Sequence, residues 1–231
     1  MAEVWLARLS GESGFRKTFV LKILLPHLAE DAACVRMFIS EALLGSVLDH
    51  PNIVPIFDHG KARESYFIAM EFVSGHTLRS IERSVKKAGG KLPFWLVART
   101  VVAVCDALEY AYSLKDENGV PMMIVHRDIT PENVMISFKG VTKVLDFGIA
   151  KISTAAIKTE VGVIKGKLAY LAPEQIIGTS PDADARIDLY ALGVVLYELL
   201  AGIRPFQGAN ELALFKEIVD KEPAPPRKFE P

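Results

Sequence analysis

Three short clusters combine side chains that can accept protons, bind cations and hold charge. They are His126-Arg127-Asp128-Ile129-Thr130-Pro131-Glu132-Asn133, then Asp146-Phe147-Gly148, then Ala172-Pro173-Glu174. Asp128 offers a carboxylate that can take a proton, and Asn133 and Asp146 offer hard oxygen donors of the kind a small divalent cation prefers. Upstream, Lys22 closes the apolar run Phe19-Val20-Leu21-Lys22, and Glu41 stands nine residues before His50 of the turn His50-Pro51-Asn52. Taken singly, each has an ordinary explanation. Asp128, Asn133 and Asp146 could be turn or capping residues, Lys22 a solvated strand end, and Glu41 an exposed helical carboxylate. What single residues lack is the order and spacing of the full set.

That ordered set resembles the catalytic loop, magnesium loop and activation-segment anchor of protein kinases. The resemblance is to the eukaryotic-type serine/threonine kinases of bacteria and covers essentially the whole chain. It implies an α+β, two-lobed kinase fold, with a small β-rich lobe over residues 1–73 and a larger helical lobe over 74–231. It also implies ATP and Mg²⁺ as cofactors, and a protein as substrate. Phosphoryl transfer asks the protein mainly to position reactants and neutralise charge. By this resemblance Asp128 accepts the substrate hydroxyl proton, and Asn133 and Asp146 are the metal ligands. Lys22 holds the α- and β-phosphates, fixed there by an ion pair with Glu41. Met70 is the gatekeeper of the adenine site, the backbones of Glu71 and Val73 bond the adenine edge, and Val4, Val20, Met135 and Leu145 line the pocket. For these pocket side chains, ordinary core packing explains the residue types equally well. Asp188 is expected to bond the catalytic-loop backbone, and His126 to be a packed core histidine rather than a base.

The elements that must position these residues are legible in outline. Phe15–Leu24, Asn52–His59 and Tyr66–Val73 read as strands, and Asp31–Asp49 has helical spacing that stops at His50-Pro51. The hinge is placed near Glu71–Gly75. Beyond it, Pro93 suits a first helical turn, apolar residues from Val97 to Tyr112 repeat at threes and fours, and Asn118-Gly119 is expected to end that helix. Val134–Ser137 and Thr142–Leu145 are strands joined at Lys139-Gly140. Ile187–Leu200 is apolar on nearly every face, which predicts a helix buried all round, and Asn210–Asp220 is amphipathic.

Composition narrows the function classes. The chain has 231 residues, half of them hydrophobic, with 27 Lys and Arg against 28 Asp and Glu. That balance lacks the basic excess of a nucleic-acid binder. Cys34 and Cys105 have no metal-ligand spacing and read as reduced thiols of a cytoplasmic protein. No run reaches the roughly 18 apolar residues of a membrane span, and Leu189–Ala201 is interrupted by Glu198. Neither a membrane segment within the chain nor a secretory signal is expected.

Several features depart from the family pattern. A lysine usually stands two residues after the catalytic aspartate, where this chain has Thr130. A threonine usually follows the glycine of the substrate-binding segment, where Gly166 is followed by Lys167. Either two catalytic aids have been lost independently or lysine and threonine have exchanged places; on the second reading, which is the one expected, Lys167 brings the ammonium near Asp128 and the γ-phosphate and Thr130 the hydroxyl. Met1–Val4 aligns with the end of the glycine-rich phosphate loop, so that loop, the first strand and the last helices are expected to be missing, and with them the partner of Glu174. Arg127 suggests switching by activation-loop phosphorylation, with Ser153, Thr154 and Thr159 as candidate acceptors. Pro131-Glu132 points to the serine/threonine branch. The alternatives are a pseudokinase or ATP-binding scaffold, favoured by Thr130 and the missing loop, and a small-molecule kinase. Tyr170–Glu174, as a peptide-docking shelf, argues against the latter.

Overall fold

The computed structural model describes residues 2–11, 14–147, 167–178 and 184–229. In chain order these form β1 (Ala2–Ser10), β2 (Arg16–Leu24), α1 (Pro26–Ala29), α2 (Ala32–Ser46), β3 (Ile56–Ala62), β4 (Ser65–Glu71) and β5 (Gly75–Thr77). There follow α3 (Leu78–Lys87), α4 (Phe94–Ser113), β6 (Val134–Ser137), β7 (Thr142–Val144), α5 (Pro173–Ile177), α6 (Arg186–Ala201) and α7 (Glu211–Asp220).

The first sheet is antiparallel with order β1-β2-β4-β3. Directly opposed residues of antiparallel strands share a face. Val4 pairs with Lys22, Lys22 with Ile68, and Val20 with Met70, so one face of the sheet carries all five. Helix α2 packs on that face, burying Phe38 and Ala42 against Leu24, Ile68 and Met70. Asp31 caps the helix by accepting from the backbone N–H groups of Ala33 and Cys34, at 2.7 and 3.4 Å. Ala2–Val4, expected to close a loop, instead begin an edge strand.

Residues 52–54, expected to start a strand, join the other part of the molecule. Val54 N–H donates to Val144 O at 3.0 Å, Val144 N–H to Asn52 O at 2.8 Å, and the Asn52 amide to Thr142 O at 2.8 Å. Their backbone groups thus extend β7, and β3 begins only at Ile56. The second sheet, β5-β6-β7, follows the hinge. Gly75 is needed there because a Cβ would sit 2.2 Å from the carbonyl oxygen of Ile136.

The main core lies between α4 and α6, with Val97, Val104, Ala107, Leu192, Val195 and Leu199 buried together under Val134 and Val144. Helix α4 ends at Ser113, before the expected Asn118-Gly119, because Leu114 turns extended and residues 116–119 close a separate turn on Asp116. Helix α6 is not buried all round: Arg186, Leu189 and Gly193 form an exposed stripe at helical spacing. Short helix α3, capped by Thr77, is a separate element that the hydrophobic pattern did not resolve.

Candidate active site

Strand β2 carries Lys22 into the space between sheet and helices, where its ammonium pairs with Glu41 of α2 and lies 3.2 Å from Asp146 Oδ1. Both Lys22 and Glu41 side chains are largely buried. Burial alone would lower the lysine pKa, but Asp146 and Glu41 outweigh it and raise it. Lys22 therefore stays a cation at neutral pH, held between two acids from different elements.

The loop that carries Asp128 is fixed from beneath. Asp188 at the start of α6 accepts the N–H groups of His126 and Arg127, at 2.6 and 2.7 Å. Arg127 has φ 65° and Asp146 φ 44°, two non-glycine residues in the left-handed region, a strain that concentrates at functional sites. The His126 ring is fully buried against Phe147, its centroid 4.7 Å away. Its Nδ1 accepts Asp128 N–H at 3.2 Å, which puts the proton on Nε2, 2.8 Å from Leu145 O. Both ring nitrogens are thus spent on backbone.

Asn133 donates from Nδ2 to Asp128 O at 2.8 Å and to Asp128 Oδ2 at 2.6 Å. That pins the amide nitrogen and leaves its oxygen as the cation-binding atom. Leu145 N–H donates to Asn133 O at 2.9 Å, which brings the following Asp146 alongside. One amide oxygen and one carboxylate suit Mg²⁺, which favours oxygen ligands and shares its shell with water and phosphate. Among the described residues no group of three or more His, Cys, Asp or Glu could hold a metal by itself, so the donor set fits a cation that arrives with phosphates.

Lys167 reaches the same place from the other side, with Nζ 2.7 Å from Asp128 Oδ2. Thr130 is 1% exposed, and its hydroxyl oxygen has no hydrogen-bond partner among the described residues. The structure thus brings Lys22, Glu41, Asp128, Asn133, Asp146 and Lys167 together through short contacts, and Thr130 joins them through its backbone oxygen, which accepts Asn133 N–H at 3.0 Å. Met70 and Val73 are buried, and Val20, Met135 and Leu145 pack against the same cluster. Val4 shares the face of Lys22 but is 68% exposed. Glu71 directs its carboxylate to Lys143, 2.7 Å away. Glu174 is half-buried. Ser153, Thr154, Thr159 and Gly166 lie outside the described residues.

Sequence reasoning missed Arg79, the second residue of α3. Its guanidinium bonds Glu132 of the catalytic loop at 2.9 Å, Glu198 of α6 at 3.0 Å, and Glu82 and Tyr170, both at 2.5 Å. The signal was Glu198, an acid deep in the apolar second half of α6 that must find a buried partner. Burial pushes the Glu198 carboxyl upward, but its bonds to Arg79 and Tyr170 prevail and hold it below the ordinary glutamate range. Burial and Glu198 push the Tyr170 phenol well up.

The protein kinase domain family matches residues 9–228. The tyrosine-protein kinase MasK of Myxococcus xanthus is 41% identical over all of this chain and 35% of its own length. The serine/threonine-protein kinase PknB of Mycobacterium leprae is 37% identical over 98% of this chain and 34% of its own. The chain therefore spans about a third of the length of these curated relatives. A crystal structure of the Mycobacterium tuberculosis PknI kinase domain, carrying a single substitution, superposes with a TM-score of 0.67 at 28% identity, covering 100% of this chain and 76% of that one. With catalytic-loop, hinge and docking-segment residues all inside the matched span, the chain belongs to the protein kinase domain family, as a eukaryotic-type kinase domain of the bacterial branch.

Proposed function

We propose that this domain transfers the γ-phosphoryl group of ATP to serine or threonine hydroxyls of protein substrates, in cytoplasmic bacterial signalling. The observation that carries the reading is the convergence of Lys22, Asp146, Asn133 and Asp128, drawn from β2, the segment after β7 and the loop before β6. Lys22, held by Glu41, orients the α- and β-phosphates. Asp128 takes the proton of the acceptor hydroxyl as its oxygen bonds to the γ-phosphorus, while the bond to the β,γ-bridging oxygen breaks and ADP leaves. Asn133 and Asp146 would hold Mg²⁺, which supplies neutralisation of the phosphate charge. Met70, Val20, Met135 and Leu145 enclose the adenine with Val4 above it, and the backbones of Glu71 and Val73 bond its edge. The lobes divide at Val73 and Ser74. Autophosphorylation on Ser153, Thr154 or Thr159 would place a phosphate for Arg127.

The test is labelled ATP with Mg²⁺ and a generic basic protein, followed by acid hydrolysis and phosphoamino-acid separation. Phosphoserine and phosphothreonine that vanish in Asp128→Asn are expected. Phosphotyrosine as the main product, in line with the name of the Myxococcus relative, would move the acceptor to tyrosine. Label unaffected by Asp128→Asn would sink the assignment of the base.

A further inference from the structure

Asp128 is followed by Ile129, Thr130, Pro131, Glu132 and Asn133, so no cationic side chain follows the base in its own loop. The charge comes from another segment. Lys167 places its ammonium 2.7 Å from Asp128 Oδ2, the oxygen that Asn133 Nδ2 also bonds at 2.6 Å. Lys167 is 34% exposed while Asp128 is 10% exposed, so the ammonium stands on the open side of the carboxylate. Partly exposed ion pairs add little stability, which leaves the contact without a strong structural reason. An ammonium carries three donors, enough for one group to bond the base and a phosphoryl oxygen together.

Both ends of this contact are tied to one guanidinium. Lys167 immediately precedes the buried turn Leu168–Tyr170, whose Tyr170 hydroxyl bonds Arg79 and Glu198. Arg79 also bonds Glu132, four residues beyond Asp128. The distance between the turn and the catalytic loop is thereby set by a shared rigid fork.

We infer that Lys167 is a catalytic residue, a cation that bridges Asp128 and the γ-phosphoryl group and that is delivered by the substrate-docking segment. This deepens the kinase reading and rests on it. Positive charge on the transferring group matters because the reaction gains most from preorganised charge stabilisation. Carrying it on the docking segment links transfer to the placement of Leu168–Tyr170.

The test compares the full chain with its Lys167→Ala, Lys167→Arg and Thr130→Lys/Lys167→Thr variants, each first checked for a wild-type melting transition. Calorimetry measures affinity for Mg-ADP and for the non-hydrolysable β,γ-imido analogue of Mg-ATP. Lys167→Ala is expected to leave ADP affinity unchanged, to weaken the analogue roughly tenfold, and to lower kcat by about 100-fold. Lys167→Arg retains most of both, and the exchanged pair recovers part of kcat over Lys167→Ala. Equal weakening of both nucleotides, or an unchanged kcat, overturns the role of Lys167 while leaving the kinase reading intact. A wild-type chain that binds neither nucleotide sinks the kinase reading, and this inference with it.

Discussion

Asp188 accepts the backbone N–H of His126 at 2.6 Å through Oδ2 and that of Arg127 at 2.7 Å through Oδ1. The carboxylate is 3% exposed, and burial dominates its titration, pushing the pKa up against the pull of His126 and Arg127. The two bonds hold Arg127 at φ 65°, immediately before the base. Asp188→Ala orphans two buried donors, each costing about 1–3 kcal/mol. Asp188→Asn keeps one acceptor oxygen and is expected to lose about half as much. Urea denaturation of both variants separates the cases. Equal losses would mean that only the charge matters.

Arg79 gathers three carboxylates, from Glu82, Glu132 and Glu198, around one buried guanidinium. Removing one partner from a buried ionic network is far costlier than its presence is favourable, because uncompensated charge remains. Arg79→Ala is expected to cost about 3–5 kcal/mol, with much of the cost remaining in Arg79→Lys, since a point charge cannot reproduce a forked donor set. The measurement is the denaturation midpoint of each variant. A lysine that restores full stability would mean that charge alone, not the fork, holds the network.

How much of this was legible beforehand follows from what each residue needs. The sheet strands, α2 and the pairing of Lys22 with Glu41 are encoded locally, by alternation, helical spacing and the His50-Pro51 stop, together with the family pattern. The role of Asp188 follows from the family pattern alone, since its partners His126 and Arg127 lie 62 and 61 positions away. Arg79 was not foreseen, because an arginine after a helix cap looks like any solvated residue until Glu198 and Tyr170, far along the chain, fold onto it. Residues 52–54 misled by composition: Ile53 and Val54 are β-branched and apolar, yet the segment pairs with β7 rather than with β4, a choice made by tertiary context. The exchange of Thr130 and Lys167 was visible as a pair of substitutions, but the 2.7 Å contact of Lys167 with Asp128 joins residues 39 positions apart and needs the fold.

Glu198 predicts a pH dependence. Its carboxyl is held below the ordinary glutamate value of 4.5. The group therefore contributes stability above the unfolded value, and that contribution is lost as pH falls through the folded one. Glu82 runs the other way, its pKa raised by burial with Glu198 adding to the effect. Comparing denaturation midpoints between about pH 6 and about pH 3, Glu198→Gln is expected to flatten the acid-side decline and Glu82→Gln to steepen it. Identical slopes in all three proteins would place the acid sensitivity elsewhere.

Gly45 sets how closely α2 approaches β3, and so where Glu41, one turn earlier, meets Lys22. A Cβ at Gly45 would lie 2.3 Å from Ile56 Cδ1 and 3.1 Å from Cγ1. Two effects compete in Gly45→Ala: a helix-propensity gain of about 1 kcal/mol and an overpacking cost of about 1–3 kcal/mol. Ile56→Val removes the Cδ1 atom responsible for the closest contact. Gly45→Ala is therefore expected to be neutral to destabilising in the wild-type background and stabilising by up to about 1 kcal/mol in the Ile56→Val background. The sign change between backgrounds is the critical result, since a cost equal in both would rule out this contact as its source. Nucleotide affinity should follow the same order, because a helix pushed off β3 draws Glu41 away from Lys22.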